Sequence, residues 1–176
     1  MVSMHLLTNG NVPILFDQGE RVNLQKLITA SCFAAIALAA SGCAVPGAGG
    51  GKVVWSTDQI YPAIGPYSQM IGHGKLIYFS GVIPLNKAGT AIEGATIEEQ
   101  TRKVLDYIKA ELASQGLGFE DVLNSTVFMQ DLNEFAAMNA VYGQYFQKDP
   151  PARATLQVAR LPRDAKIEIA IIAARR

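Results

Sequence analysis

Between residues 52 and 173 the chain alternates short β-prone runs with helical patterns, and this order most limits what it can fold into. Three strands, a helix, a strand, a second helix and two further strands predict an α+β fold, a mixed sheet with both helices on one face. In a chain of 176 residues, the sheet face without helices is most simply covered by a second copy of the same chain, so we expect a homo-oligomer. The predicted strands are 52–56, 68–72, 76–83, 122–130, 153–159 and 166–173.

The two helices differ in how their ends are marked. Thr96 and Glu99 form a capping box at the start of the first helix, whose apolar residues recur at helical spacing until Gly116. Asp131 or Asn133 can cap the second helix. The second pattern places four large apolar or aromatic residues on one face: Phe135, Met138, Tyr142 and Tyr145.

Composition narrows the possible partners. The length suits one ordinary domain with a short appendage, and the formal net charge of +0 offers no basic stripe for nucleic acid. Cys32 and Cys43 both lie in the N-terminal quarter, so no disulfide framework follows. His5 and His73 are far apart in the chain and too few for a histidine-built zinc centre. We therefore expect no metal and no nucleic-acid partner.

The N-terminal quarter has the outline of a secretory signal. Lys26 precedes an uncharged run of small and apolar residues, 27–40, which is short for a membrane span of about 20 residues. The small residues before Cys43 resemble the bacterial lipobox, with Ala40 where leucine is usual. An ordinary cleaved signal or a buried N-terminal helix are the alternatives. The preferred interpretation is an exported lipoprotein, anchored at the membrane through Cys43 and facing the periplasm or cell exterior.

Three segments follow from this interpretation. Residues 1–42 form an N-terminal extension with the export signal, and residues 43–51 form a Gly-rich linker. Residues 52–176 form the folded domain, which contains every candidate for ligand chemistry.

Five runs of the domain carry its most distinctive patterns: AIGPYSQMI from Ala63, FSGVIPLN from Phe79, FAAMNAVYGQYF from Phe135, PPARATLQVARLP from Pro150 and KIEIAIIAARR from Lys166. Together these runs resemble the Rid/YjgF family, and the likeness spans residues 52–176. The resemblance implies a YjgF/chorismate-mutase-like homotrimer with ligand clefts between neighbouring subunits. It also implies hydrolysis of small enamine and imine acids, such as 2-aminoacrylate, 2-iminopropanoate and 2-iminobutanoate, to 2-keto acids and ammonia without a cofactor.

The resemblance assigns the leading roles to Arg153 and Tyr67. Arg153 matches the family arginine, whose planar guanidinium can bind a substrate carboxylate through two parallel hydrogen bonds. A structural salt bridge is the alternative for Arg153. Tyr67 matches the tyrosine of the GPY motif, which borders the cleft and can offer its hydroxyl, and an ordinary core or interface aromatic is the alternative.

Four further positions match the family cleft. Ser80 and Asn139 are expected to organise it by hydrogen bonding, and a helix-surface amide is the alternative for Asn139. Gly81 would let the chain approach ligand closely, and Thr155 would form a pocket wall whose backbone carbonyl can hold water. No histidine is placed to activate Ser80 and no G-x-S-x-G elbow occurs, which argues against a serine hydrolase.

One departure from the family pattern leaves two functions open. The second glutamate of the last strand, thought to orient water, is expected at position 170, where this chain has alanine. Glu168 is on the same strand face, but a two-residue step of about 6.6 Å makes it a weak substitute. Either the chain is an imine deaminase without that glutamate, or it binds a small keto or amino acid without catalysis.

Overall fold

The computed structural model describes residues 51–176. The predicted extension and signal, Cys43 and all of the predicted linker except Gly51 therefore lie outside the described residues. Neither helix of the described part is long and apolar enough to cross a membrane. The main elements are β1 (Val53–Trp55), β2 (Met70–His73), β3 (Leu76–Val82), α1 (Ile97–Ser114), β4 (Val122–Met129), α2 (Phe135–Tyr145), β5 (Ala152–Gln157) and β6 (Ile167–Ala174).

The strands form one six-stranded sheet in the order β1-β2-β3-β6-β4-β5. Every neighbouring pair is antiparallel except β4 and β5, which run parallel. A parallel pair needs a crossover, and α2 lies between β4 and β5 in the chain. The predicted mixed sheet with two helices is confirmed, and β2 and β3 form a hairpin.

Helix α1 begins at the predicted capping box. Thr96 Oγ1 accepts a hydrogen bond from the Glu99 backbone N–H at 3.2 Å, and the Glu99 carboxylate accepts one from the Thr96 N–H at 3.2 Å. After the helix Gly116 adopts a φ of +70°, the left-handed conformation that glycine favours. The buried apolar stripe of α1 is Ile97, Val104, Leu105, Ile108 and Leu112.

Helix α2 departs from its prediction at its first turn. The Asp131 side chain caps a 3-10 turn, Leu132–Glu134, by accepting from the Asn133 N–H at 2.8 Å, and α2 follows without a side-chain cap of its own. Phe135, the first residue of α2, is 38% exposed, whereas Met138 and Tyr142 are buried.

The two faces of the sheet are chemically distinct. Along β6 the alternate residues Ile167, Ile169, Ile171 and Ala173 are buried on the helix side. The opposite side is less covered, and we call it the open face. Its apolar residues include Tyr78, Phe128, Leu156, Ala170 and Ile172, which the strand registers place on the same side.

Candidate functional site

A β-bulge in β3 creates the first pocket. The pairing of β3 with β6 changes register between Phe79 and Val82, which leaves Ser80 and Gly81 outside the regular ladder. A Cβ atom added to Gly81 would overlap the Glu168 carboxylate. Glycine therefore leaves the space that this carboxylate fills.

The first pocket, which we call the acidic pocket, has a volume of about 260 Å³ and contains Tyr67, Ser80, Gly81 and Glu168. Three of these are predicted site residues. Tyr67 lies in the loop three residues before β2. The backbone N–H of Tyr67 donates to the Gly65 carbonyl at 2.9 Å, a tight turn that carries the ring to the pocket. The remaining lining residues are Tyr61, Ile64, Ile83 and Pro162.

The hydroxyl groups of the acidic pocket have different tasks. Tyr67 OH accepts a hydrogen bond from the Ile64 N–H at 3.2 Å, so its own proton can be donated to a ligand. Ser80 Oγ donates its proton to the Ser68 carbonyl at 2.7 Å. Ser80 therefore offers a ligand only acceptor capacity, which agrees with an organising role and not with a nucleophilic one.

Glu168 supplies the carboxyl group of the acidic pocket, although its spacing along the strand indicated only a weak substitute. Its side chain is half-buried, and burial raises the pKa of the carboxyl above its ordinary value. Ala170 does not line the acidic pocket, whereas Glu168 does. The expectation that Glu168 is too far away to serve is therefore wrong, because it compared spacing along the strand and not distance to the bulge.

The second pocket, which we call the arginine pocket, lies beside α2. It has a volume of about 430 Å³ and brings together the predicted residues Asn139 and Arg153. Thr155, also predicted as a pocket wall, is half-buried on β5 but does not line either pocket. The other lining residues are Tyr142, Gly143, Phe146, Pro150 and Pro151.

The guanidinium of Arg153 is held by aromatic rings. Its Cζ atom lies 4.6 Å from the centre of the Tyr142 ring and 5.7 Å from that of Phe135. Burial raises the pKa of the Tyr142 phenol, and the Ser125 hydroxyl and the Arg153 charge offset part of that rise. Within residues 51–176 no carboxylate forms a salt bridge with Arg153, so the structural salt bridge considered above is absent there. The exposed guanidinium is available to an anion.

The two pockets do not meet within one chain. Arg153 pairs with Ser125, which pairs with Ile171 on the helix side of the sheet, whereas Glu168 pairs with Phe128. Paired residues point to the same side of a sheet and the side alternates along each strand. Arg153 and Glu168 therefore point to opposite sides, and the two pockets share no lining residue. Within one chain, Arg153 and Tyr67 therefore belong to separate pockets.

These features define an α+β protein with two small-ligand pockets, one acidic and one centred on an arginine. The model of the family described as endoribonuclease L-PSP matches residues 57–175, and the chain belongs to this family, which also includes the YjgF and RutC proteins.

The similar proteins cover the folded part of the chain. The 2-iminobutanoate/2-iminopropanoate deaminase of Escherichia coli K12 is 44% identical over 124 residues, 69% of this chain and 96% of that protein. A RutC family protein of Saccharolobus solfataricus is 43% identical over 122 residues, 69% of this chain and 97% of that protein. The crystal structure of E. coli TdcF with bound serine has a TM-score of 0.66 and 40% identity, over 70% of this chain and 99% of that one.

Two aromatic residues of the pockets carried no sequence signal for a site. Tyr61 lines the acidic pocket, and its OH accepts from the Ile83 N–H at 3.0 Å. Tyr142 was expected only as a helix-face residue, yet it forms the platform under Arg153. Among residues 51–176 no group of three or more histidine, cysteine, aspartate or glutamate side chains is arranged to hold a metal ion.

Proposed function

We propose that the chain hydrolyses small enamine and imine acids to 2-keto acids and ammonia. The observation that carries the proposal is the acidic pocket, in which the Tyr67 hydroxyl and the Glu168 carboxyl border one small cavity. The E. coli relative named 2-iminobutanoate/2-iminopropanoate deaminase supports the same chemistry. The substrate class is 2-aminoacrylate and the 2-imino acids of three or four carbons.

The acidic pocket can promote the hydrolysis by positioning and proton transfer. Glu168, whose pKa burial raises, accepts a proton from the attacking water as the water oxygen bonds to C2. Tyr67 donates a hydrogen bond to the substrate, because its oxygen already accepts from Ile64. Glu168 then passes this proton to the nitrogen, so the C–N bond breaks, ammonia leaves and the carbonyl of the keto acid forms. Such imines hydrolyse unaided, so modest assistance is enough.

The substrate carboxylate requires a cation that the acidic pocket lacks. No residue lining that pocket in the described part carries a positive charge, and Glu168 in its ionised form would repel the substrate. Arg153 is exposed, has no carboxylate partner within residues 51–176 and lies on the other side of the sheet. We propose that Arg153 of a neighbouring copy completes each site.

A homotrimer is the arrangement that we propose for these copies. The open face presents apolar side chains on four strands, and Tyr78 and Leu156 are 44% and 46% exposed. Covering such a surface with identical subunits buries it and brings a second chain to the sheet. Three equivalent clefts would result, each with an acidic pocket from one subunit and an arginine pocket from the next.

Non-catalytic binding of a keto or amino acid is the alternative function. Its support was the alanine at position 170, taken as loss of the carboxylate that orients water. Glu168 lies in the acidic pocket and offers another carboxyl group for that role, which favours the deaminase. The alternative nevertheless makes a distinct prediction, which is Arg153-dependent binding without turnover.

The test is keto-acid release from freshly generated 2-aminoacrylate by the full chain, with Arg153→Ala and Glu168→Gln beside it. We expect release above the spontaneous rate in the parent and a loss of at least about tenfold in each variant. Lys109→Ala, an exposed cation of α1, is the matched control for Arg153 and should behave as the parent. Keto-acid binding without any release in the parent would favour the alternative function.

We also propose that the chain is exported and anchored through a lipid on Cys43. The support is the sequence pattern of residues 22–43, with small residues directly before the cysteine. Expression in bacteria fed labelled palmitate should label the parent and leave Cys43→Ser unlabelled. Equal labelling of both, or none in the parent, would contradict the proposal.

A further inference from the structure

Glu111 is a buried carboxyl group directly beneath the acidic pocket. It belongs to α1 and is 1% exposed. Its side chain borders a cavity of about 10 Å³, which is room for about one water molecule. Tyr61, Tyr67, Ser80 and Gly81 line this cavity and the acidic pocket alike. The β3 bulge is thus the wall that the two spaces share.

The hydrogen bonds among the surrounding groups leave one carboxyl oxygen of Glu111 without a partner. The side chain of Gln69, which also lines the cavity, donates to the Tyr61 carbonyl at 2.9 Å and accepts from the Thr57 N–H at 2.7 Å. Within residues 51–176, Glu111 Oε2 has no hydrogen-bond partner. A buried carboxyl oxygen without a partner is costly, and a bound water is the usual remedy.

The charge state of Glu111 follows from its surroundings. Burial raises the pKa of its carboxyl to about 8. The titratable groups around the cavity are Tyr61 and Tyr67, with Glu168 beyond Gly81 and Tyr107 one turn earlier on α1. None of the lining residues in this part of the chain is cationic. At neutral pH the group is therefore a protonated acid beside the site.

We propose that Glu111, acting through one water molecule in this cavity, supplies the proton that converts the enamine substrate to its imine. This inference rests on the proposed deaminase function. It adds a residue of α1 that touches the substrate only through the water and the bulge. The geometry that supports it is the cavity shared by Glu111 and the residues Ser80 and Gly81.

The proton balance closes over one turnover. The C=C electron pair of the enamine takes a proton from the water, which takes one from Glu111, and the nitrogen lone pair forms the C=N bond. Water then adds to C2 while Glu168 accepts its proton. As the adduct collapses, Glu168 passes its proton to the nitrogen, the C–N bond breaks and ammonia leaves. The C=O bond forms as the hydroxyl proton of the adduct returns to Glu111 through the water. The net reaction is enamine acid plus water to keto acid plus ammonia.

This role predicts a dependence on pH that a structural role would not produce. Above about pH 8 an ionised Glu111 can no longer give a proton, so turnover by the parent should fall. Glutamine keeps the size of the side chain and cannot titrate. Ionisation of the substrate or of Glu168 affects both proteins equally, so its effect cancels in the ratio of parent to Glu111→Gln activity.

The test measures kcat/KM for 2-aminoacrylate with the full chain, Glu111→Gln and the control Glu98→Gln between pH 6 and 10. Glu98 is exposed on the same helix. We expect the parent to exceed Glu111→Gln by at least tenfold at pH 6.5 and the ratio to fall towards one by pH 9.5, while Glu98→Gln follows the parent. Unfolding curves of Glu111→Gln establish that it is folded.

The possible results distinguish the proton-donor role of Glu111 from the deaminase function on which it rests. A ratio that is large and falls with pH supports the proton-donor role. An active parent with a ratio near one, or with a ratio constant in pH, overturns that role and leaves the deaminase intact. A parent without activity at any pH overturns both.

Discussion

At the scale of the residue, the acidic pocket depends on the close fit of Gly81 and Glu168. The Glu168 carboxylate occupies the space where any other residue at position 81 would place its Cβ. The β3 bulge turns this space towards the pocket that holds Tyr67. The glycine thus acts on the chemistry through the position of a carboxyl group, and not through contact with ligand alone.

Replacing Gly81 with alanine tests this dependence. The added methyl should push the Glu168 carboxylate out of the acidic pocket, because the group that gives way is the end of a flexible side chain. We expect kcat/KM to fall at least about tenfold while the unfolding midpoint changes little. Gly51→Ala, where an added Cβ meets nothing, is the control. Unchanged turnover in Gly81→Ala would contradict the assigned position of Glu168.

Glu111 makes a separate prediction about stability. Its pKa in the folded protein, about 8, exceeds the ordinary value of 4.5, so the folded state holds a proton that the unfolded chain has released. Stability of the parent should therefore fall as pH rises from about 4.5 to about 8. The free energy of unfolding of Glu111→Gln should therefore rise relative to that of the parent across this pH range, by a few kcal/mol at pH 8.

The measurement is the free energy of urea unfolding of both proteins at one protein concentration between pH 5 and 9. A difference that does not change with pH would show that Glu111 has an ordinary pKa. This readout does not depend on any catalytic activity.

At the scale of the element, α1 connects the core to the acidic pocket. Its apolar stripe packs under β3 and β6, and the same stripe side carries Glu111. The capping box holds the first turn, where the Thr96 and Glu99 side chains satisfy backbone N–H groups that the helix leaves free. Stability and site geometry therefore depend on different ends of one helix.

Removing the N-terminal cap of α1 should lower the stability of the protein without changing the geometry of the acidic pocket. Thr96→Ala loses the bond to the Glu99 N–H, and we expect a loss of about 1 kcal/mol in the free energy of unfolding. The kcat/KM value should stay within about twofold of the parent, because Glu111 lies about four turns away. Chemical denaturation and the keto-acid assay measure both, with Lys109→Ala as the control. A large loss of turnover would mean that the helix start also sets the site.

At the scale of the whole molecule, the proposed trimer rests on the open face. A glutamate in place of Leu156, which is 46% exposed there, would bury a charge against the neighbouring copy. We expect Leu156→Glu to elute as a monomer in size-exclusion chromatography and to lose turnover, although both pockets remain in each chain. Leu132→Glu, at a leucine 39% exposed outside the sheet, should stay trimeric. A trimeric and active Leu156→Glu would show that this face is not the interface.

Mixed trimers test whether two copies share a site. Arg153→Ala and Glu168→Gln chains should each be inactive alone. After subunit exchange at equal amounts, about one quarter of the clefts would combine the intact arginine of one chain with the intact glutamate of the other. Tyr67→Phe mixed with Glu168→Gln is the control, since both changes lie in the acidic pocket of each chain. Recovery in the control, or none in the test mixture, would refute sites shared in this way.

The sequence by itself determined the elements, because their signals are local. The capping box, the helical spacing of α1 and the β-prone runs each depend on residues a few positions apart. The six strands formed within two residues of their predicted bounds, and α1 began at its predicted cap. The motif residues Tyr67, Ser80, Gly81, Asn139 and Arg153 were likewise identified from short runs, and each lines a pocket.

Only the tertiary structure decided which of these residues meet. Tyr67 and Glu168 lie about a hundred positions apart in the chain and come together because β3 pairs with β6 across a bulge. The same pairing places Glu111 of α1 beneath them and leaves Arg153 on the other side of the sheet. Strand order and bulge geometry result from packing across the whole domain, which no local spacing of residues encodes.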